Sequence, residues 1–464
     1  MLSSLIHYFY PDLKPNEVKK FGILALIFSL IIGGYWLIRL LKNTLFIKVC
    51  FPEDLGCIPN QGLLLQPTAK LISPLVVFAL VLVYSKLVDM YKKHVLFYII
   101  ASVYVLLFGS FTVMLFLRNM YGNAFLGKTL LGAFGWVSYF TIESFGSLIV
   151  ALFWSFTNSI TASDSAKRGY PLIIACAQVG AIIGAGLMIF SHTFGLPQLL
   201  AVVTLTTAAI IPAVYYFMKE VPASDQVGDP KSAKTEGKSE GSAGFLEGIR
   251  LLFTKPYLMG ILLVSTIYEV MNQVLEYQMQ YQVNSSSTFA GELGFAQFQG
   301  YYGVATNTLS FLMALLGTSY LIKKYGLRFG LLFFPACLVA ALASLLAFYY
   351  FGNPTAGALL AATFVAMMIA KGLGYAVNNP VKEMMYIPTS KDAKFKTKGF
   401  IDVFGSRMAK MGGGQINNMF KTSFNDLIVY GTLFSFGLSA VWILAAVYVG
   451  NKNAQLIKDN QIVE

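Results

Sequence analysis

The stretch KGLGYAVNNPVKEMMYIPTSKDAKFKTKGFIDVFGSRMAKMGGGQ, Lys371–Gln415, sets one lysine in an apolar run. A dense basic loop follows, then a second apolar run holding Asp402, Arg407 and Lys410. Charges inside membrane-length helices are costly unless they face a cavity or a partner. Whether this stretch belongs to a membrane or to a soluble excursion decides the fold.

Working outward, the 464-residue chain is 56% hydrophobic and only 12% charged, with a mean hydropathy of +0.64. Soluble domains carry about 25% charged residues, so the chain is a polytopic membrane protein. The net charge of +12 does not call for a nucleic-acid partner, because cytoplasmic loops collect Lys and Arg. The N-terminal residues lack the basic-then-apolar order of a signal peptide, so the first apolar run is expected to be retained.

Apolar runs near 18 residues or longer mark spans. Twelve are expected, at 21–42, 68–88, 94–117, 136–161, 169–191, 197–218, 256–279, 298–322, 328–350, 356–379, 398–420 and 426–449. The eleventh is weakest, because of its charges and Gly412-Gly413-Gly414. The fourth has an ambiguous start, since 129–140 is also apolar. With both termini inside, the inner segments hold 24 of the 34 Lys and Arg and the outer loops four. That asymmetry predicts cytoplasmic termini.

Residues 221–249 begin with a low-complexity run rich in Gly, Ser, Lys and acidic residues, which reads as a flexible linker. It separates a six-span half, 1–220, from a second, 250–464. The halves are weak parallel repeats. Residues 166–185 line up with 396–415 at an offset of 230, and 85–91 with 319–325 at an offset of 234. The expected fold is therefore an all-α membrane protein, twelve transmembrane helices in two six-helix halves, major-facilitator-like, with a solute site near midplane.

Arg39/Lys42 in span 1 and Arg407/Lys410 in span 11 share an i, i+3 spacing, so each pair aims two cations in one direction. Span-end snorkelling competes with that reading for the first pair, and less for the second, which is mid-span. Glu143 and Glu269 lie within spans 4 and 7, and Lys371 within span 10. Shifted back by the repeat offset, Lys371 lands beside Glu143 and Glu269 beside Arg39. These charges read either as structural ion pairs or as the lining of a path for an anionic solute, for which Arg offers a fork and Lys a point charge. Glu276 and Asp402 are expected nearer the interface.

Lys167-Arg168 and the basic residues from Lys382 to Lys398 follow topology, or form a funnel for an anion. Residues 122–129, GNAFLGKT, satisfy the P-loop pattern, but that motif needs a buried strand and a soluble parallel sheet. Here it follows a membrane helix. Cys50 and Cys57 share one loop, and a disulfide between them would need an oxidising compartment. The three histidines (His7, His94, His192) are scattered and give no metal cluster.

The chain resembles the ATP/ADP translocases of plastids and obligate intracellular bacteria. Lys382–Pro388 is similar to the family's KEMAYIP. Lys398-Gly399, Ile401-Asp402-Val403, Arg407, Lys410, Gly412 and Gly413 resemble its KGKAAIDVV…RxGKSGG. Phe153-Trp154-x-Phe156-x-Asn158-x-Ile160-Thr161 is similar to FWGFANxIT, Ala166-Lys167-Arg168-x-Tyr170 to EAKRFY, and Arg39-x-x-Lys42-x-Thr44-Leu45 to RDTKDTL. Departures are Asn43 for an acid, Asn272-Gln273-Val274 for WKS, Gly374 for a lysine and Gln178 for an asparagine.

The resemblance implies exchange of external ATP for internal ADP plus phosphate across a bacterial or plastid inner membrane, and it carries the family's important charges onto Lys42, Glu143, Glu269 and Lys410. Import of nucleotides (or NAD) coupled to protons stays open, as does a sensor or scaffold whose charges are structural. The expected substrate-binding set is Arg39, Lys42, Glu143, Asn158, Glu269, Asn272, Lys371, Lys382, Arg407 and Lys410. Expected partners are ATP, ADP, phosphate and the lipid bilayer, with the single chain as working unit. No cofactor, metal, nucleic acid or catalytic arrangement is expected.

Overall fold

A computed structural model describes residues 13–222, 226, 250–316 and 318–463. His7 and most of the linker expected at 221–249 lie outside the described residues. In hydrocarbon every backbone N–H and C=O must be satisfied within the segment, which leaves the helix as the spanning element. Twelve helical segments match the expected spans in order. They are α1 (Pro15–Thr44), α2 (Gln61–Met90), α3 (Lys93–Tyr121), α4 (Asn123–Ser159), α5 (Ser163–Leu187), α6 (Leu196–Glu220), α7 (Pro256–Asn284), α8 (Gly291–Leu316), α9 (Thr318–Phe351), α10 (Ala356–Leu373), α11 (Ser406–Phe420) and α12 (Phe424–Lys458). Proline at the start of α1 and α7 costs nothing there, because a first-turn N–H has no helical partner.

Among the described residues, ten helices are long and apolar enough to cross a membrane. The two expected spans outside that set are 298–322 and 398–420. The second is broken by its own chemistry: a basic helix Lys391–Phe400, a π-turn Ile401–Gly405, then the polar α11. The start of span 4 is settled. Residues 129–140 belong to α4, which bends at Gly127 (φ 71°), a left-handed conformation that a side chain would oppose.

Three π-turns punctuate the bundles, at Leu45–Val49, Gly374–Asn378 and Ile401–Gly405. Lys42 lies three residues before the first, Lys371 three before the second, and Arg407 two after the third. An extra residue in a turn rotates everything beyond it, and such turns cluster at functional sites.

The chain forms two compact units. Unit 1 draws on Met1–Gly62, Leu75–Ser239 and Gly291–Val304, and unit 2 on Leu63–Pro74, Glu240–Ala290 and Ala305–Glu464. Each therefore takes in one short segment from beyond the linker: the first turns of α8 join unit 1, and the first turns of α2 join unit 2.

Within unit 1, α1 and α5 meet backbone to backbone. A Cβ on Gly184 would sit 2.1 Å from the Gly33 carbonyl oxygen, and one on Gly180 would sit 2.5 Å from that of Ser29. Gly180 and Gly184 form a GxxxG step, which lets membrane helices approach closely. Within unit 2, Gly413 on α11 stands equally tight against α7, with Gln273 Cβ at 2.6 Å and the Val270 carbonyl at 2.7 Å. Each half thus sets small residues of one helix against its own first helix, although the repeat register pairs Gly184 with Gly414 and not with Gly413.

Overpacking a fitted contact costs about 1–3 kcal/mol. Gly184→Val is expected to lower the melting temperature of detergent-solubilised protein by several degrees or to prevent folding. Gly412→Ala, whose added Cβ has open space, should leave it within about a degree. Thermal unfolding followed by size-exclusion chromatography reads both.

Candidate functional site

In unit 1, Lys42 ends α1 and is only 4% exposed. Its ammonium donates to Glu143 Oε1 on α4 and stands 4.5 Å from the centre of the Tyr139 ring. Tyr139 precedes Glu143 by one turn, so carboxylate and ring come from one helix face. Both favour an ammonium group over a neutral one. Tyr139 is fixed by Phe46, 4.9 Å away on the first π-turn. Glu143 keeps part of its side chain accessible. Arg39, one turn earlier on α1, lays its guanidinium 5.0 Å from the Trp36 ring. Asn158 is exposed and accepts the Tyr170 hydroxyl at 2.6 Å. Fifteen residues beyond Glu143 on the same helix, it stands about 22 Å along the axis, so the structure does not bring it to the Lys42–Glu143 pair.

In unit 2, Glu269 on α7 is 7% exposed. The Tyr268 hydroxyl donates to its Oε1 at 2.6 Å, while Oε2 meets no hydrogen-bond donor among the described residues. Three ammonium groups act on this carboxylate: Lys410 from α11, Lys371 from α10 and Lys382 from the short helix Asn379–Met385. Lys382 also stacks on the Tyr268 ring at 4.9 Å, so one tyrosine supports both signs of charge. Lys371 is buried, and Arg407 and Lys410 are half-buried on α11.

Asn272, one turn past Glu269, is 1% exposed, and neither of its amide atoms meets a hydrogen-bond partner among the described residues. A buried amide left so is costly unless something else satisfies it. Gln273 packs against Gly413, and its carbonyl accepts Asn417 Nδ2 at 3.0 Å.

The two centres are sign-reversed counterparts. Lys42 and Glu269 are 227 positions apart, and Glu143 and Lys371 are 228 apart. The half that places its cation on the first helix places its anion on the fourth, and the other half does the reverse.

Several expected charges do other work. Arg168 holds Glu17 through Nε at 3.0 Å and Nη2 at 2.5 Å, tying the start of α5 to that of α1. Lys398 pairs with Glu383 at 2.5 Å. Lys128 of the P-loop look-alike donates to the Gly56 carbonyl at 2.7 Å. Glu276, expected near the interface, is 8% exposed and lies 3.9 Å from Lys70; α7 continues two turns past it to Asn284, which carries it inside. Cys50 and Cys57 are both free thiols. The sequence reading passed over Tyr139 and Tyr268. The signal was a tyrosine beside, or one turn from, an intramembrane carboxylate.

The chain has similar sequences and a similar fold among known proteins. Residues 1–452 match the family model described as TLC ATP/ADP transporter. The chain is 25% identical to ADP,ATP carrier protein 1 of Rickettsia bellii, over 99% of this chain and 98% of that one. It is 26% identical to ADP,ATP carrier protein 2, chloroplastic, of Arabidopsis thaliana, over 93% and 74%. Among solved structures, a nucleoside transporter NupG mutant superposes with a TM-score of 0.61 at 14% identity, covering 93% of this chain and 99% of that one. An inward-facing bacterial homologue of ferroportin gives 0.62 at 13%, covering 93% and 98%. These identities speak for the fold alone, and the fold is that of major-facilitator-type transporters. A sequence match spanning nearly the whole chain, on a fold with buried lysine–carboxylate centres, places this chain in the TLC ATP/ADP transporter family.

Proposed function

We propose that the chain exchanges ATP for ADP, with phosphate as a further solute, by alternating access across a bacterial or plastid inner membrane, its termini in the cytoplasm. The observation that carries the reading is the buried Glu269 carboxylate, on which the charges of Lys410, Lys371 and Lys382 act together. Asp402 and Glu383 also reach Lys382, but Glu383 is itself bound by Lys398 and Lys394. Among the described residues, cations therefore outnumber carboxylates around this centre. A buried excess of positive charge is unfavourable when empty and suits the phosphates of a nucleotide.

In this reading Lys371, Lys382 and Lys410 hold phosphate oxygens as point charges, and Arg407 offers a fork. Glu269 keeps the lysines together between solutes. Asn272 supplies an amide whose two halves match the paired donor and acceptor on the edge of a purine base. Lys42 and Glu143 form the counterpart centre of unit 1, and the halves 1–220 and 250–464 are the moving bodies around the linker at 221–249. Asn158 and Arg39 border this scheme. The gradients of the solutes drive it, and no covalent step is required.

Proteoliposomes loaded with ADP should take up labelled ATP, while empty ones should not. Uptake indifferent to internal nucleotide would overturn exchange. Uptake into empty vesicles that an uncoupler abolishes would establish proton coupling in its place.

Inorganic tripolyphosphate, an anion without a base, separates the two parts of the site. A hydrogen bond to a charged group contributes about 1.5–3 kcal/mol. Lys410→Ala should therefore weaken competition by both ATP and tripolyphosphate by about 10- to 100-fold. Asn272→Leu should weaken ATP by about tenfold and leave tripolyphosphate unchanged. Equal effects on the two competitors would remove Asn272 from base recognition.

Breaking a buried pair costs far more than replacing it whole. Glu143→Met alone should lower the melting temperature by several degrees, and Lys42→Met with Glu143→Met should recover most of the loss while abolishing exchange.

A further inference from the structure

The two short segments taken in from beyond the linker, 63–74 and 291–304, lie 228 to 230 positions apart. They are the same part of the repeat, the first turns of the second helix of each half. Each follows a loop on the side that the charge count places outside.

In unit 1 the first turns of α8 are held by a charged clasp. Arg118, at the end of α3, presents its whole guanidinium edge. Nη1 donates to Glu292 Oε2 at 2.8 Å and Nη2 to Glu292 Oε1, while Nε donates to Asn123 Oδ1 at 2.7 Å. Asn123 in turn donates to both carboxylate oxygens of Asp54, at 3.0 and 2.9 Å. Beneath the clasp the contact is polar and close. Ser191 Oγ donates to the Leu293 carbonyl at 2.7 Å, and a Cβ on Gly300 would stand 2.6 Å from the Ile189 nitrogen.

In unit 2 the equivalent turns of α2 are held more loosely. Gln66 donates to Gln280 at 2.5 Å, Tyr277 donates to the Leu63 carbonyl at 3.2 Å, and Lys70 stands 3.9 Å from Glu276. Gln66, Lys70, Glu276 and Asn417 line a small, partly open polar cleft at this contact.

A contact made and broken in every cycle is better built from groups that water takes back readily than from apolar surface, whose exposure is costly. The Arg118–Glu292 pair is only partly buried, so water can take back both groups when it opens. The bidentate fork adds registry, since it closes in one geometry.

We propose that Arg118 and Glu292 are gating residues: the clasp is closed in the conformation described and opens in each cycle to admit solute from the outer side. The proposal rests on the alternating-access reading. The residues act by positioning α8 and do not touch the solute.

The test combines hydrogen–deuterium exchange of the full chain in nanodiscs with transport kinetics from each side. Arg118→Gln and Glu292→Gln are each expected to speed amide exchange in 291–304 by about fivefold, with no change in α12. They should lower the apparent KM for outside ATP and raise that for inside ADP. The charge swap, Arg118→Glu with Glu292→Arg, should restore exchange rates and both KM values towards wild type. Asn123→Ala, which frees only Nε, should shift the same readouts in the same direction, and serves if the single charge variants fail to fold.

Wild-type exchange rates in all variants would overturn the gate. So would slower transport with both KM values unmoved, which a merely structural pair would give. Faster amide exchange that the swap reverses, in a wild-type protein that moves no nucleotide, would sustain the gate and sink the ATP/ADP reading instead.

Discussion

An ammonium group inside an apolar bundle needs a partner of opposite charge, and that requirement shapes both units. Lys42 meets it with Glu143 and the face of Tyr139. Glu269 meets it from the other side, with Lys410, Lys371 and Lys382 gathered on one carboxylate. Ion pairs in low dielectric gain little net stability over apolar packing. Their presence here therefore points to use. The first centre matches one ammonium with one carboxylate, whereas the second leaves cations in the majority, and a polyanion is drawn to the second kind.

Backbone geometry delivers these side chains. The π-turns at Leu45–Val49, Gly374–Asn378 and Ile401–Gly405 adjoin Lys42, Lys371 and Arg407. An uninterrupted α-helix would carry the residues past each turn on a different face. The glycines on α5 and α11 bring those helices hard against α1 and α7. That closeness places α11, which carries Lys410, directly against α7, which carries Glu269. A Cβ at Gly184 or Gly413 has nowhere to go.

Much of this was legible in the chain. Low charge content, twelve apolar runs and the repeat offset were enough for the fold class, because the absence of water in a bilayer leaves few ways to satisfy a backbone. Charges at Lys42, Glu143, Glu269, Lys371 and Lys410 stood out because they are expensive where they are. Less legible were the roles of the basic residues flanking the spans. Arg168 and Lys398 read as topology or funnel, yet each is bound to a carboxylate far along the chain, Glu17 and Glu383. Local sequence does not say which carboxylate a long side chain will find.

The sequence by itself determined that the protein crosses a membrane, how its helices are ordered and which charges lie in or at the ends of its apolar runs. Hydropathy and periodicity are properties of consecutive residues, and those conclusions need nothing more. Only the tertiary structure decided which charges share a centre, that Tyr139 and Tyr268 brace them, and that Arg118 meets Glu292. Pairing depends on π-turn rotations and on close glycine-lined helix contacts, and neither is written in the pattern of apolar residues. The opening stretch shows the division. Its lysines announce themselves at 371, 382 and 410, but that all three act on a single glutamate of α7 is a fact of packing.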